Sequence, residues 1–168
     1  GTWTLVGGAG GTVASVNNPN TAITGLPVGT HTYAWTIVNG NCATTTDEVT
    51  IRVYNALNPI ANAGNDQQLC APASTTTLQG SNVISPSVGT WTLVSGSGAP
   101  TNPNAPNSFV TGLSIGENVF EWTVSNGPCA NPLTTDRVSI FVFDNTQAAA
   151  DAGPEVNGHP PLLAGQLV

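Results

Sequence analysis

Hydrophobic and polar residues alternate along several short segments of the chain. In residues 118–124, the alternation places Phe120 and Trp122 on one face of an extended strand and polar or smaller residues on the other. A period of two is typical of a strand with one buried face. The same pattern recurs around Tyr33 and Trp35. Both segments are therefore predicted to be strands that cover a core.

Other short runs rich in β-forming residues are separated by clusters of Gly, Pro, Asn and Ser, which favour turns. No segment has the pattern of an amphipathic helix. Strands at this spacing predict an all-β fold, an antiparallel β-sandwich with immunoglobulin-like layering. The additional predicted strands are residues 69–70, 75–79, 89–94, 108–111 and 137–142.

The chain repeats itself with a period of about 88 residues. The sequence GTWTLV at residues 1–6 returns at residues 89–94, and Trp35 and Cys42 correspond to Trp122 and Cys129. A period of this length indicates one domain per repeat. We therefore predict the C-terminal part of one repeat, a complete repeat and the start of a third, in a natural chain that extends in both directions. Their bounds are residues 1–58, 59–145 and 146–168.

The four tryptophans recur with the repeat. Alternation points them inward, so we predict that Trp3, Trp35, Trp91 and Trp122 are core residues and that Trp91 and Trp122 meet between the sheets. The alternative is a platform of aromatic rings that stacks on carbohydrate. Trp3 and Trp91 are the pair expected to be the more exposed under that alternative.

Two of the three cysteines fall within the complete repeat. We predict a disulfide between Cys70 and Cys129, which would stabilise that repeat by roughly 4 kcal/mol through restriction of the unfolded chain. Cys42 is expected to pair with a cysteine upstream of residue 1. Such disulfides are typical of an extracellular compartment. In the third repeat, His159 stands where Cys70 stood, so either that repeat lacks the bridge or the alignment slips there.

The composition excludes several classes of function. The net charge is −7, and the chain contains no Lys and only two Arg, so binding to nucleic acid or to an anionic membrane surface is not expected. No apolar run approaches the length of a membrane helix. His31 and His159 are the candidate neutral-pH bases, neither recurs, and no nucleophile motif or phosphate-binding loop accompanies them. We therefore predict no enzyme activity and no catalytic or cofactor-binding residues.

Acidic residues cluster near the ends of the predicted domains. Calcium is bound by oxygen ligands, and a calcium ion at a domain junction would stiffen an extracellular rod. The candidate ligands are Asp66, Asp136, Asp144 and Asp151, although they lack a regular Asp-x-Asp spacing. The alternative interpretation is that these carboxylates cap polar turns.

A set of motifs carries a resemblance to a known family. ANAGNDQQLC, TTTLQG, GTWTLVSGSG, FVTGLSIGENVFEWTVSNGPC and TDRVSIFVF resemble the PKD-like or Ig-like tandem repeats of large type IX-secreted, gliding-motility-associated cell-surface proteins of Bacteroidota. PKD domains usually have an Asp-rich turn after the TLQG-like segment, where residues 81–83 here read Ser-Asn-Val. This departure weakens the case for calcium by resemblance.

The resemblance implies a non-catalytic structural and adhesive segment of a long extracellular protein or filament stalk, with a role in adhesion and gliding. The alternative function is a spacer or carbohydrate-binding module in a secreted polysaccharide-degrading enzyme. Expected partners are neighbouring repeats of the same chain, other copies in a fibre, and surface glycans. No membrane insertion is expected in this segment.

Overall fold

All regular structure in the described part of the chain is β-strand. The computed structural model describes residues 1–57 and 60–146. No helix in these ranges is long and apolar enough to cross a bilayer. The prediction of an all-β fold is confirmed. The twelve strands are β1 (Thr2–Gly7), β2 (Thr12–Val13), β3 (Ile23–Thr24), β4 (Gly29–Ile37), β5 (Thr45–Val53), β6 (Gln67–Cys70), β7 (Thr76–Thr77), β8 (Val88–Ser95), β9 (Ala99–Pro100), β10 (Phe109–Thr111), β11 (Gly116–Ser125) and β12 (Leu133–Phe143).

The second repeat contains two sheets. One has the strand order β6-β12-β11-β8, and the other has the order β7-β10-β9. The long strands β11 and β12 pair antiparallel from Gly116 opposite Val142 to Ser125 opposite Leu133. Strand β8 continues this sheet on the other side of β11, with Trp91 opposite Trp122.

A hydrophobic core lies between these two sheets. Phe120, Trp122 and Ile140 contribute fully buried side chains from the larger sheet, and Leu78 and Val110 contribute them from the side of the smaller sheet. All five belong to one cluster of buried residues. Face-to-face packing of two sheets around such a core is a β-sandwich, as the alternation of apolar residues predicted.

Strand β6 departs from the expected all-antiparallel arrangement. It pairs parallel with β12, with Gln67 opposite Ile140 and Cys70 opposite Phe143. The chain can run in this direction because the segment before β6 lies along β12 in an extended path. Gly64 permits it, since its φ is +83° and a Cβ atom there would crowd the backbone of Gln79.

The first repeat shows the same central strands. Its larger sheet has the order β1-β4-β5, and β2 pairs with β3. Trp3 lies opposite Trp35 in the β1/β4 register, as Trp91 does with Trp122. The indole ring centroids are 5.1 Å apart in the first repeat and 4.9 Å apart in the second.

The first repeat is the more open of the two. Strand β5 is an edge strand, and within the described residues no strand occupies the position that β6 has beside β12. Val49 is 42% exposed, whereas the equivalent Val138 in the second repeat is 1% exposed. The counterparts of Ala61, Ala63 and Leu78, which pack in the core of the second repeat, would precede residue 1, so this exposure reflects the extent of the sequence and not a property of the repeat.

Candidate functional site: the ends of the repeat and the junction

Two of the predicted calcium ligands accept backbone hydrogen bonds along β12. The Ala63 N–H donates to Asp136 Oδ2 over 2.8 Å, and the Ser139 N–H donates to Asp66 Oδ1 over 2.8 Å. The Ala61 N–H donates to Thr134 Oγ1, also over 2.8 Å. Residues 61–66 precede β6 and are not part of a strand. Side-chain hydrogen bonds therefore join them to β12 in place of the backbone hydrogen bonds of a sheet. They thereby attach residues 61–66 to the closing strand.

Asp144 lies beyond the end of β12 and caps a turn. Its Oδ1 accepts hydrogen bonds from the Thr146 N–H at 2.9 Å and from the Thr146 hydroxyl at 2.7 Å. The backbone hydrogen bond, and then the side-chain one, hold the pKa of this exposed carboxyl below its ordinary value. Asp151 lies outside the described residues. Across residues 1–57 and 60–146, no group of three His, Cys, Asp or Glu residues is arranged to hold a metal ion.

The predicted disulfide between Cys70 and Cys129 does not form in this fold. All three cysteines are free. Cys70 lies beside Phe143 at one end of β12, whereas Cys129 lies in the loop that precedes Leu133 at the other end. Eleven residues of β12 separate these ends, which corresponds to about 30 Å, and a disulfide needs Cα atoms within about 7 Å. A disulfide would require both cysteines at one end of the repeat, and the parallel course of β6 puts them at opposite ends.

The loop between β11 and β12 contacts the end of the first repeat. The Asn126 side chain donates from Nδ2 to the Asn55 carbonyl over 3.1 Å and accepts at Oδ1 from the Ser87 hydroxyl over 2.6 Å. Asn126 is 5% exposed. One buried amide thus joins two segments of the second repeat to the end of the first.

Gly127 packs against the ring of Tyr54 in the same contact. A Cβ atom at this position would overlap the ring, and φ is +56°, so glycine meets both a steric and a conformational requirement. The inter-repeat junction therefore consists of an Asn-Gly turn on one repeat and the tyrosine that directly follows strand β5 on the other. The Asn-Gly pair recurs in the sequence as Asn39-Gly40, but nothing in the sequence indicates that Gly127 contacts Tyr54.

The far end of the second repeat presents the surface equivalent to Tyr54 and Asn55, formed by Phe143 and Asp144. An apolar cleft of about 350 Å³ opens beside it, and Ile115 at its margin is 60% exposed. This cleft lies where the chain leaves the repeat. Its lining includes Ala71, Pro72, Leu113, Ile115 and Val142.

His31 is a buried structural residue. Its side chain is 2% exposed, and Nε2 lies 2.9 Å from the Pro27 carbonyl oxygen. The equivalent residue in the second repeat is Asn118, whose Nδ2 donates to the Ser114 carbonyl over 2.9 Å. Both side chains organise the turn that precedes the central strand. His159, the other histidine, lies outside the described residues.

The chain is similar to individual domains of known proteins. No family model matches the chain. A PKD domain of the KIAA 1837 protein is 28% identical, with a TM-score of 0.44 over 54% of this chain and 92% of that one. A PKD domain of human KIAA0319 is 21% identical, with a TM-score of 0.42 over 57% of this chain and 86% of that one. Extracellular cadherin domains 1–4 of protocadherin gamma B7 are 14% identical, with a TM-score of 0.36 over 86% of this chain and 42% of that one. At these TM-scores, the fold assignment depends on the strand topology and core described above.

Proposed function

We propose that this chain is a non-catalytic structural and adhesive segment of a long extracellular cell-surface protein or filament stalk. In this proposal the repeats transmit tension between a cell and the surface it adheres to or glides on. One observation carries it: the first and last strands of the complete repeat, β6 and β12, are parallel neighbours.

Parallel terminal strands place the repeat in a shear geometry. The chain enters the second repeat beside Thr134 and leaves it at Phe143, at opposite ends of β12. Tension applied through the neighbouring repeats therefore pulls β6 and β12 past one another. The hydrogen bonds between them are loaded together instead of opening one at a time, so forced unfolding has a high barrier.

The side-chain contacts of residues 61–66 add to this resistance. The acceptors Thr134 Oγ1 and Asp136 Oδ2 and the donor Ser139 N–H lie along β12 before the β6/β12 ladder begins. They carry the same shear load as the ladder. Tension must break these bonds as well before β12 is released.

The extracellular and cell-surface part of the proposal is supported by the motif set and the surface chemistry. The repeat motifs resemble those of type IX-secreted proteins, and charged residues make up only 7% of the chain. The partners proposed are neighbouring repeats, which the Asn126 and Gly127 contacts join, other copies of the chain, and surface glycans.

Single-molecule force spectroscopy tests the proposal directly. The full chain is tethered at Gly1 and Val168 and pulled at constant velocity. We expect one high-force event for the second repeat with a gain in contour length of about 250 Å, which is the extended length at roughly 3.5 Å per residue less the distance that the folded repeat already spans. Asp136→Ala is expected to lower the force, while Asp47→Ala, the equivalent position in the first repeat, leaves it unchanged. Unfolding through small low-force steps without such an event would contradict the proposal.

A second candidate, a carbohydrate-binding spacer in a secreted polysaccharide-degrading enzyme, is favoured by one exposed aromatic pair. Phe141 and Phe143 are 39% and 44% exposed, and their ring centroids are 4.6 Å apart. The rings are tilted by 51° and so form no flat platform for a sugar ring. Retention of the chain on insoluble polysaccharides, lost in Phe141→Ala, would favour this candidate over the stalk.

A further inference from the structure

The Asn126-Gly127 turn at the junction has a chemically reactive sequence. In an Asn-Gly sequence, the backbone nitrogen of the glycine attacks the side-chain amide carbon of the asparagine readily, because glycine has no Cβ atom to hinder the approach. The side-chain nitrogen leaves as ammonia, and a cyclic imide remains. The function proposed above uses the junction as a fixed contact and makes no use of this reactivity.

The fold holds Asn126 by its backbone and by its side chain. Its N–H donates to the Pro132 carbonyl over 2.8 Å, and its carbonyl accepts the Cys129 N–H over 3.3 Å. Its side chain donates to the Asn55 carbonyl and accepts from the Ser87 hydroxyl. The residue is 5% exposed. These contacts oppose the approach of the amide carbon to the next backbone nitrogen.

The contacts across the junction are the part of this restraint that is lost when the two repeats separate. The Asn55 carbonyl and the Tyr54 ring come from the first repeat, and they contact Asn126 and Gly127 respectively. Separation frees the Nδ2 atom of Asn126 and admits water to the turn, while the bond from Ser87 remains within the second repeat. The reactivity of the turn therefore depends on whether the junction is closed.

We propose that Asn126 is a modification site, which is protected while the junction is closed and is deamidated when the junction is open. The product is aspartate or isoaspartate at this position. The modification acts on the contact between repeats whatever the array is used for, so it goes beyond the adhesive role and does not rest on it.

The reaction consumes only water. The Gly127 nitrogen loses its proton and forms a bond to Cγ of Asn126, the bond from Cγ to Nδ2 breaks, and ammonia leaves with the proton. Water then hydrolyses the imide. Cleavage of the new bond at Cγ gives aspartate, and cleavage of the original peptide bond gives isoaspartate, whose main chain runs through Cγ. No oxidant or reductant takes part.

Either product is incompatible with the closed junction. Because Nδ2 departs with the ammonia, a carboxylate oxygen replaces the donor that now lies 3.1 Å from the Asn55 carbonyl oxygen. A charge in a place where Asn126 is 5% exposed is also unfavourable. Isoaspartate lengthens the main chain and displaces Gly127 from the Tyr54 ring. A junction that has reacted therefore does not close again.

The first repeat supplies a matched reference turn, Asn39-Gly40. Gly40 and Gly127 both have a φ of +56°. In each turn, the N–H three residues after the asparagine donates to the asparagine carbonyl. Asn39 is exposed. The counterpart of Tyr54 for this turn would precede residue 1, so in this chain Asn39 reports the reaction of the same turn without its cover.

The test measures deamidation of both asparagines in the full chain. The chain is incubated at mildly alkaline pH, which favours loss of the backbone amide proton, and mass spectrometry of proteolytic peptides follows Asn39 and Asn126. We expect Asn126 to react roughly tenfold more slowly than Asn39, because its hydrogen bonds must break first. In urea, where neither turn is folded, we expect similar rates.

A variant of the first repeat separates the effect of the junction from that of the fold of the second repeat. Tyr54→Ala removes the ring that covers Gly127 without changing the reacting residues, and we expect it to raise the rate at Asn126 towards that at Asn39. Phe143→Ala, at the equivalent position at the other end of the second repeat, is the control and should leave the rate unchanged.

The consequence for the junction is measured on the product itself. Asn126→Asp is expected to show faster independent tumbling of the two repeats in NMR relaxation. Asn39→Asp makes the same change of charge in the reference turn and should leave the tumbling unchanged. This measurement does not require Tyr54→Ala to fold.

Three outcomes would overturn the inference. One is an equal rate at Asn39 and Asn126 in the folded chain, which would show that the closed junction gives no protection. The second is an unchanged rate at Asn126 when Tyr54→Ala is folded. The third is unchanged tumbling in Asn126→Asp. None of them bears on the force at which the second repeat unfolds, so this inference and the proposed function fail separately.

Discussion

At the residue scale, Asp136 serves as the acceptor of a backbone amide. Its Oδ2 accepts the Ala63 N–H, whereas no side-chain hydrogen bond joins Asp47, its equivalent, to another of the described residues, because the counterpart of Ala63 would precede residue 1. Recurrence of the aspartates was visible in the sequence. Their role was not, because the donor lies 73 residues away from Asp136 along the chain. In a sequence, a carboxylate near a domain boundary is equally consistent with a metal ligand and with an acceptor for a backbone N–H. The path of residues 61–66 shows that Asp136 has the second role.

This contrast predicts different stability effects for one substitution. Ala63 is 1% exposed, so Asp136→Ala leaves its N–H without an acceptor in a buried place. We expect a loss of about 1–3 kcal/mol in the free energy of unfolding of the second repeat. Asp47→Ala should change the free energy of unfolding by less than about 0.5 kcal/mol. Urea unfolding followed by tryptophan fluorescence measures both, and equal losses would contradict the assigned role.

At the element scale, the direction of β6 is the main determinant of what the repeat can do. Alternation was sufficient to predict β11 with its buried face, and residues 137–142 of β12 were predicted as a strand. Strand β6 is too short to show an alternation of apolar and polar residues. A short strand at a sheet edge can pair in either direction. The parallel pairing is set by the extended path of residues 61–66, which brings the chain to the far end of β12.

Gly64 enables that path, and its replacement is expected to be costly. Gly64→Ala places a Cβ atom against Gln79, whose nearest atoms would lie 2.8 and 2.9 Å away, at a φ of +83°. Gly112 also has a positive φ, +76°, but has open space around it. We expect Gly112→Ala to cost about 1–2 kcal/mol through backbone strain alone. Gly64→Ala should cost a further 1–3 kcal/mol or so through overpacking.

Thermal or urea unfolding of these two variants separates the contributions. The difference between them reports the crowding against Gln79, since the conformational strain is shared. If Gly112→Ala were the more destabilising of the two, the close passage of residues 61–66 past Gln79 would not constrain the fold.

At the scale of the whole molecule, the junction decides how the repeats connect. The Asn126 amide bonds Ser87 within its own repeat and Asn55 in the preceding one. Both repeats carry the Asn-Gly turn, but the described residues cover only the second of these turns with another repeat. The contact is therefore a property of the array and not of a single domain.

Loss of the Asn126 side chain is expected to lower the free energy of unfolding of the second repeat and to weaken its contact with the first repeat. Asn126→Ala leaves the Ser87 hydroxyl, in a residue 7% exposed, without its acceptor, and we expect a cost of about 1–2 kcal/mol. Asn39→Ala, at the exposed equivalent position, is the control and should be within about 0.5 kcal/mol of wild type. Chemical denaturation gives both values, and NMR relaxation of the two repeats should show faster independent tumbling only in Asn126→Ala.

The two repeats should also differ in local stability. Backbone amides of β11 and β12 lie in a sheet over a closed core, whereas those of β4 and β5 lie in a sheet with an open edge and exposed apolar residues. We expect hydrogen exchange, measured by mass spectrometry, to be slower in β11 and β12 than in β4 and β5. Equal protection would show that the open edge of β5 does not lower the stability of the first repeat.

The sequence by itself determined the all-β class, the period of the repeats, and the face of each long strand that is buried. These properties are local or periodic, since alternation along a strand and recurrence along a chain need no knowledge of neighbours. The tertiary structure alone decided the parallel course of β6, the separation of Cys70 from Cys129, and the contact of Gly127 with Tyr54. Each of these depends on which chain ends meet in space, and that is set by the packing of segments far apart in sequence.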